Sequence, residues 1–298
     1  GFHRLSIVSI KHGTQPFHNK DETVFCICNG EIYNYAKLIK MHYLNTADLQ
    51  TGSDCEVIYA LYMKYGLEYI SEIIASLDGV YSFCIIDLRE EEPLVIMARD
   101  PFGIRSLYYS YDKSSHLYFA SEMKSMPQNE HIKIHNFPAG HYYINGDIKK
   151  NEYVWSMDNF LTKNCIETDI PNHLENNYVY DCVKTSLIDA VKKRMMSDRP
   201  IGCLLSGGLD SSLISALVAQ EMNKDGAKLH TFSIGMNGGT DLKYAKMVAD
   251  HIGSIHHEVV VSKEDMLNAI PEVIYHIESW DETTILASTP MYLLCKYI

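Results

Sequence analysis

The stretch Ile201-Gly-Cys-Leu-Leu-Ser-Gly-Gly-Leu-Asp-Ser-Ser-Leu-Ile-Ser-Ala-Leu-Val218 holds an apolar run, a cluster of Ser, Gly and Asp, and a second apolar run of different period. That order reads as a buried strand, a tight turn and a helix. Glycine lets a main chain approach a ligand closely, and the free N–H groups of a helix start attract anions, so phosphate is the first candidate. A Walker loop needs GxxxxGK[ST] and lacks its lysine here, and the GxGxxG dinucleotide spacing is absent. In what remains, Ser206, Gly207 and Gly208 can cradle a pyrophosphate. Ser211 and Ser212 add hydroxyls, and Asp210 can hold Mg²⁺ against the same phosphates. The competing reading is an ordinary strand-to-helix turn with Asp210 as a helix cap.

Working outward, residues 179–298 alternate helix and strand: "DCVKTSLIDAVKKRMM", "IGCLL", "DSSLISALVAQEM", "LHTFSIGM", "DLKYAKMVADHIG", "HHEVVV" and "KEDMLNAIPEVIYHI". Such alternation builds a parallel sheet with covered faces and a ligand site beyond the carboxyl ends of its strands. Residues 156–178 lose periodicity and gather Asn, Asp, Thr and Pro, as a linker does. Residues 1–155 have another grammar, short Val-, Ile-, Tyr- and Phe-rich runs broken by "CNGE", "TGSD", "RDPFG", "YDKSS" and "INGD". They predict antiparallel sheet, interrupted by a helical pair in "DCEVIYALYMKYGLEYISEIIASL" that Gly66 divides. The first domain is therefore α+β and the second α/β.

The 298 residues are 46% hydrophobic and 21% charged, a globular balance, and the formal net charge of −12 argues against a nucleic-acid or anionic-membrane partner. Small-molecule chemistry is the better expectation. No run reaches the length of a membrane span, and the first residues lack the order of a signal peptide. Eight cysteines, at 26, 28, 55, 84, 165, 182, 203 and 295, show neither CxxC pairs nor matched histidines, which points to a reducing, cytosolic setting. Cys26 and Cys28 alternate on one strand face and read as packing. His256 and His257 lack a third ligand and read as strand-entry histidines with satisfied partners.

"SGGLDSS" is the signature of the ATP-pyrophosphatase loop, and with "HTFSIGM", "DLKYAKMVADHIGSIHHE" and "VIYHIESWDETTILASTPMYLL" the chain resembles the glutamine-hydrolysing asparagine synthetases. The likeness extends to "HRLSIV", "NGEIYNY", "TGSDCE", "LDGVYSFCIID", "RDPFGIRSLYY" and "FASEMK", and so covers nearly the whole chain. It implies a four-layer Ntn-hydrolase-like glutaminase (class II glutamine amidotransferase) domain and an ATP-pyrophosphatase synthetase domain. By resemblance, Arg4 pairs with the glutamine α-carboxylate and Asp54 with its α-amino group. Asn29 and Gly30 form the oxyanion hole, and Ile7, Val8 and Glu31 hold the rest. Leu204, Ser206, Gly207, Gly208, Asp210, Ser211 and Ile234 line the ATP pocket, with Asp241 near the phosphates or their metal. Thr283 and Thr284 approach aspartate or the acyl-adenylate.

These chemistries suit the residue types. An arginine fork matches a carboxylate, a carboxylate matches an ammonium, and an amide with a glycine N–H stabilises an oxyanion. Each also has a local reading: "NGE" as a tight turn, Arg4 as a surface charge, Asp54 as the cap of the helix after "TGS". The implied activity is ATP- and Mg²⁺-dependent synthesis of asparagine from aspartate through β-aspartyl-AMP, with ammonia from glutamine. Glutamine, aspartate and ATP are the expected partners, with a homodimer left open. Two departures qualify it: Gly1 is not the terminal cysteine that is the family's nucleophile, and Leu286 stands where the bacterial pattern has arginine. The chain also stops before the family's second phosphate motif, so a truncated, inactive fragment is expected. A β-lactam-synthetase-like adenylating enzyme and a non-catalytic relative are the alternatives.

Overall fold

A computed structural model describes residues 3, 5–45, 49–127, 132–152 and 175–298, with side chains from 180 onward in the last stretch. The chain divides into two compact units, Gly1–Glu175 and Asn176–Ile298.

In the first unit, β1 (Phe17–His18), β2 (Val24–Ile32), β3 (Gly79–Asp87), β4 (Leu94–Arg99), β8 (His141–Ile144) and β9 (Asp147–Lys150) form one sheet in that order. Every neighbouring pair is antiparallel. A second antiparallel sheet has the order β6 (Leu117–Ala120), β5 (Tyr108–Tyr111), β7 (His135–Asn136). Alternation along β2 decides the layers. Val24, Cys26 and Cys28 pack with Val57, Ile58, Leu61, Tyr62 and Ile74 from the helix side, while Ile27 joins Cys84, Met97, Leu107 and Phe137 between the two sheets.

The helix layer is α1 (Tyr35–Met41), α2 (Glu56–Tyr65) and α3 (Ile70–Ser76). Gly66, at φ +75°, ends α2 as the sequence predicts, and a turn of 3₁₀ helix leads into α3. Helix α1 was not anticipated, because seven residues are too few to show a helical period. The described residues thus build a helix layer and both sheets of the expected sandwich.

In the second unit, β10 (Gly202–Leu204), β11 (His230–Met236) and β12 (Ile255–Val261) are parallel in that order. Helices α4 (Glu175–Arg194), α5 (Leu209–Lys224), α6 (Thr240–Ile252), α7 (Lys263–Ile277) and α8 (Glu282–Tyr297) alternate with them or follow. Buried Val191, Val218, Ala219 and Leu229 form one cluster, and Leu205, Ala245 and Ala249 another. Helix α7 opens on a reciprocal cap: Ser262 Oγ accepts the Asp265 N–H at 3.1 Å while Asp265 Oδ2 accepts the Ser262 N–H at 2.8 Å.

Most of the expected linker, 156–174, lies outside the described residues; α4 begins at Glu175, within its last four positions. Adding weak helix formers to a helix nucleated downstream costs little.

Candidate functional site

Strand β2 runs along β3 in register from Val24 opposite Asp87 to Ile32 opposite Gly79. Tyr81 turns its carbonyl and N–H toward β4, accepting the Asp100 N–H at 2.8 Å and donating to Asp100 Oδ2 at 3.3 Å. Its partner Gly30 therefore presents its N–H and C=O to the opposite edge of β2, as do Cys28 and Ile32. Beyond short β1, no strand covers that edge among the described residues. Side chains do. The Gln15 amide pairs with the Cys28 backbone twice, donating to the carbonyl at 3.1 Å and accepting the N–H at 2.7 Å. Cys55 Sγ donates to the Gly30 carbonyl at 3.2 Å, and Asp54 Oδ2 accepts the Ile32 N–H at 2.7 Å. The Gly30 N–H alone in this series has no acceptor among the described residues.

Gly30 has to be glycine here, since a Cβ would stand 2.1 Å from the Val80 carbonyl oxygen. The open N–H faces a cavity of about 480 Å³ lined by Ile7, Val8, Gln15, Asn29, Gly30, Glu31, Asp54, Cys55, Arg105 and Ser121, among others. Asn29 Nδ2 donates to Ser121 Oγ at 3.1 Å, which fixes a second amide donor on the same strand; "NGE" lies within β2 and is not a turn. Asp54 is 4% exposed, and burial, partly offset by the Ile32 N–H, holds its carboxyl above the usual range. It does not cap α2, whose N-cap Cys55 makes no side-chain cap bond. The anchor of that turn is instead Glu56, 1% exposed, whose carboxylate accepts the Gln50 and Thr51 N–H groups at 2.6 and 2.8 Å.

Six of the seven sequence-predicted glutamine contacts thus meet in one cavity. Arg4 lies outside the described residues. Gln15, Cys55, Arg105 and Ser121 went unmarked in the sequence. Cys55 and Arg105 sit inside "TGSDCE" and "RDPFGIRSLYY", so those motifs carried the signal, whereas Gln15 carries none that spacing can show.

In the second unit, Leu204 ends β10 and pairs with Phe232, while Ile234 lies two residues further along β11. Helices α5 and α6 begin beyond the carboxyl ends of those adjacent strands. Gly207 adopts φ +81°, and a Cβ on it would stand 2.5 Å from the Ala245 N, so the loop is pressed against the first turns of α6. Ser206 Oγ meets Ser211 Oγ at 2.9 Å and accepts the Gly208 N–H at 3.3 Å; the Ser206 N–H donates to Ser211 Oγ at 3.3 Å. Loop hydroxyls therefore hold, at long distance, main-chain donors that an anion would engage more strongly.

Gly208 is the N-cap of α5 with no side-chain cap bond, so Asp210 is not a cap. Its carboxylate is exposed in the first turn, without a partner among the described residues. Asp241 occupies the same place on α6, with Thr240 Oγ1 donating to it at 3.3 Å. Thr284 has a local task, its N–H and hydroxyl donating to the cap residue Asp281 at 2.7 and 2.6 Å, and Leu286 is 63% exposed. His256 is held between the Thr231 and Ser233 hydroxyls at 2.9 and 3.0 Å and His257 meets His230 at 2.9 Å, which satisfies both as expected. Among the described residues no group of three or more His, Cys, Asp or Glu could hold a metal ion by itself.

Residues 2–128 match the model of the glutamine amidotransferase domain, and residues 183–298 that of asparagine synthase. Over 99% of this chain, asparagine synthetase B [glutamine-hydrolyzing] of Escherichia coli is 40% identical, with 52% of that protein covered. The chain belongs to the glutamine-hydrolysing asparagine synthetase family. Members from plants are as similar: the Zea mays asparagine synthetase is 40% identical and asparagine synthetase 1 of Arabidopsis thaliana 38%, with 48% of each covered. The chain thus spans about half the length of the curated asparagine synthetases it matches.

Proposed function

We propose that the first unit binds L-glutamine for hydrolysis, that the second binds ATP, and that together they serve ATP-dependent synthesis of asparagine from aspartate. The glutaminase domain is taken as residues 1–155 and the synthetase domain as 179–298. The observation that carries the reading is the plugged edge of β2, where the Gly30 N–H is left open beside Asn29 and within one cavity with Asp54 and Glu31. A tetrahedral intermediate at the glutamine carboxamide places its oxyanion between the Gly30 N–H and the Asn29 amide. Asp54 takes the α-ammonium, and Arg4 the α-carboxylate. The four described cysteines of this unit do not supply the nucleophile, because a thiolate is needed. Burial pushes the Cys26 thiol well up and the Cys84 thiol to about 12; the hydrogen bond that Cys55 donates to Cys28, followed by burial, raises Cys55. The bond that Cys28 accepts from Cys55 lowers its thiol but is outweighed by burial and its charged neighbours, so Cys28 is raised as well.

For ATP, the fit rests on the Gly207 approach to α6 and on the weakly held N–H groups of Ser206 and Gly208. Leu204 and Ile234 offer the apolar lining, and Ser211 a further hydroxyl. Mg²⁺ supplies charge stabilisation for the departing pyrophosphate, and the free carboxylate of Asp210, with Asp241, suits a hard cation held jointly with phosphate oxygens. Thr283 and Thr284 are the proposed neighbours of aspartate. Four buried thiols without disulfide partners support a cytosolic setting.

The test supplies the full-length protein with ATP, Mg²⁺, aspartate and glutamine labelled with ¹⁵N at the side-chain amide. Label in the asparagine amide, with one pyrophosphate per asparagine, is the expected result. Pyrophosphate release without asparagine would replace the reading with adenylation toward another product.

A further inference from the structure

The geometry points to Arg105 as a positioning residue for an α-ammonium group, acting through Glu31. This rests on the glutamine reading above. Three carboxylates line the cavity, Glu31, Asp54 and Glu122. Glu122 pairs with Lys124 at 3.2 Å and Glu31 with Arg105 at 2.8 Å. Asp54 has no cationic partner among the described residues. Stripped of Arg105, Glu31 and Asp54 would be two like charges in a partly dry pocket, and such a pair resists double ionisation. With Arg105 in place, Glu31 is neutralised at Oε1 and held in one orientation, and Oε2 stays open as an acceptor. An incoming ammonium then completes Asp54 and finds Glu31 Oε2 as its second acceptor.

Arg105 is placed by the loop that follows β4, not by the cavity. Its N–H donates to Asp100 Oδ2 at 3.0 Å and its carbonyl accepts from Arg99 Nε at 2.6 Å. Asp100, 1% exposed, also accepts the Phe102 and Ile104 N–H groups at 3.1 and 3.0 Å, while Arg99 donates to Gly103 at 2.8 Å and Phe137 at 2.6 Å. The anchored loop sends one arginine across to β2. That arginine is poorly built for stability, because its Nε–H is buried with no acceptor. A desolvated donor left unpaired is a cost that an apolar chain of similar length avoids.

A purely structural ion pair and a positioning pair therefore make opposite forecasts for Arg105→Met. The experiment titrates the chain calorimetrically with L-glutamine and with glutaramic acid, which keeps the carboxylate and the carboxamide but has no amino group. Whatever its melting temperature, Arg105→Met should bind L-glutamine about tenfold more weakly, the worth of a charge-assisted hydrogen bond. Glutaramic acid should bind all variants within about twofold. Arg105→Lys, which keeps the charge but not the fork, should fall between, and Arg105→Met should add no further loss in a Glu31→Gln background. Unchanged L-glutamine affinity in Arg105→Met, or a parallel loss of glutaramic acid, overturns the assignment. If the parent itself binds no L-glutamine, the glutamine reading fails first and this one with it, an outcome seen before any variant is made.

Discussion

Asp54 reaches from the turn before α2 to the Ile32 N–H at 2.7 Å, so a buried carboxylate closes the edge of the strand that carries Asn29 and Gly30. Burial raises its folded value above the ordinary 3.8. The native state therefore holds the Asp54 proton more tightly than the unfolded chain, and ionising it costs stability once the pH rises past that range. Asp54→Asn, whose side-chain oxygen can still accept from Ile32, should melt higher than the parent at pH 7. The gap should shrink as the pH falls toward about 4. Glutamine binding should be lost, and thermal melts across pH with calorimetry check both halves.

Gly30→Ala should break the first unit outright. The new Cβ meets backbone on β3, which cannot give way as a side-chain tip can. We expect a loss of about 3 kcal/mol or more in urea denaturation, at the severe end for overpacking. A fully folded variant of parental stability would show that β2 and β3 do not run in this register.

Tyr62 donates to Asp87 Oδ2 at 2.6 Å, and Arg89 Nε donates to Asp87 Oδ1 at 2.9 Å. With the Arg89 hydrogen bond foremost, Asp87 is held down at about 2. A carboxylate depressed on folding stabilises above its unfolded value and loses that contribution as the pH drops toward the folded one. Tyr62→Phe should cost about 1–2 kcal/mol at pH 7, the price of one donor to a buried charge. Its acid-unfolding midpoint should also move to higher pH.

Buried His256 has its value lowered from 6.5, burial being the leading cause, with the charges of Glu258, Lys246, Asp250 and His257 around it. The unfolded chain accepts the proton more readily, so the second unit should be stable above about pH 6.5 and weaken below it. His256→Gln should flatten that dependence in chemical denaturation between about pH 7.5 and 5.5. A parental slope in the variant would assign the effect to another group.

Asp210→Ala should leave the melting temperature within about 1 °C, because an exposed carboxylate that caps nothing contributes within about 0.5 kcal/mol. In the full-length protein it should abolish pyrophosphate release and spare glutamine hydrolysis. Near-parental asparagine formation from ammonia would remove Asp210 from the phosphate site.

The second unit was the more legible in sequence, since its strands and helices alternate with clear changes of period, and "KEDMLNAIPEVIYHI" matches α7 from end to end. The ends of α4 were not, because four polar residues carry no period and only the helix behind them decides their state. In the first unit, Asp54 and Gly30 could be marked from motifs, but not what holds them. Gln15 meets Cys28 across thirteen residues of sequence. Arg99 and Asp100 spend most of their polar atoms on backbone groups, those of their own loop and of distant Phe137 and Tyr81, and no pattern of residue types announces a side chain that serves the main chain.

A bare sheet edge is ordinarily a hazard, because any extended chain can zip onto its alternating donors and acceptors. Along β2 three side chains, Gln15 and the neighbouring pair Asp54 and Cys55, occupy much of that row and leave the Gly30 N–H open. A neighbouring molecule's strand needs several consecutive vacancies to dock, whereas a single oxygen needs one. The same plugging that prepares the cavity for an oxyanion therefore also guards the protein against edge-to-edge aggregation. Trimming Gln15 to alanine should betray this as a faster rise of light scattering on standing at high concentration.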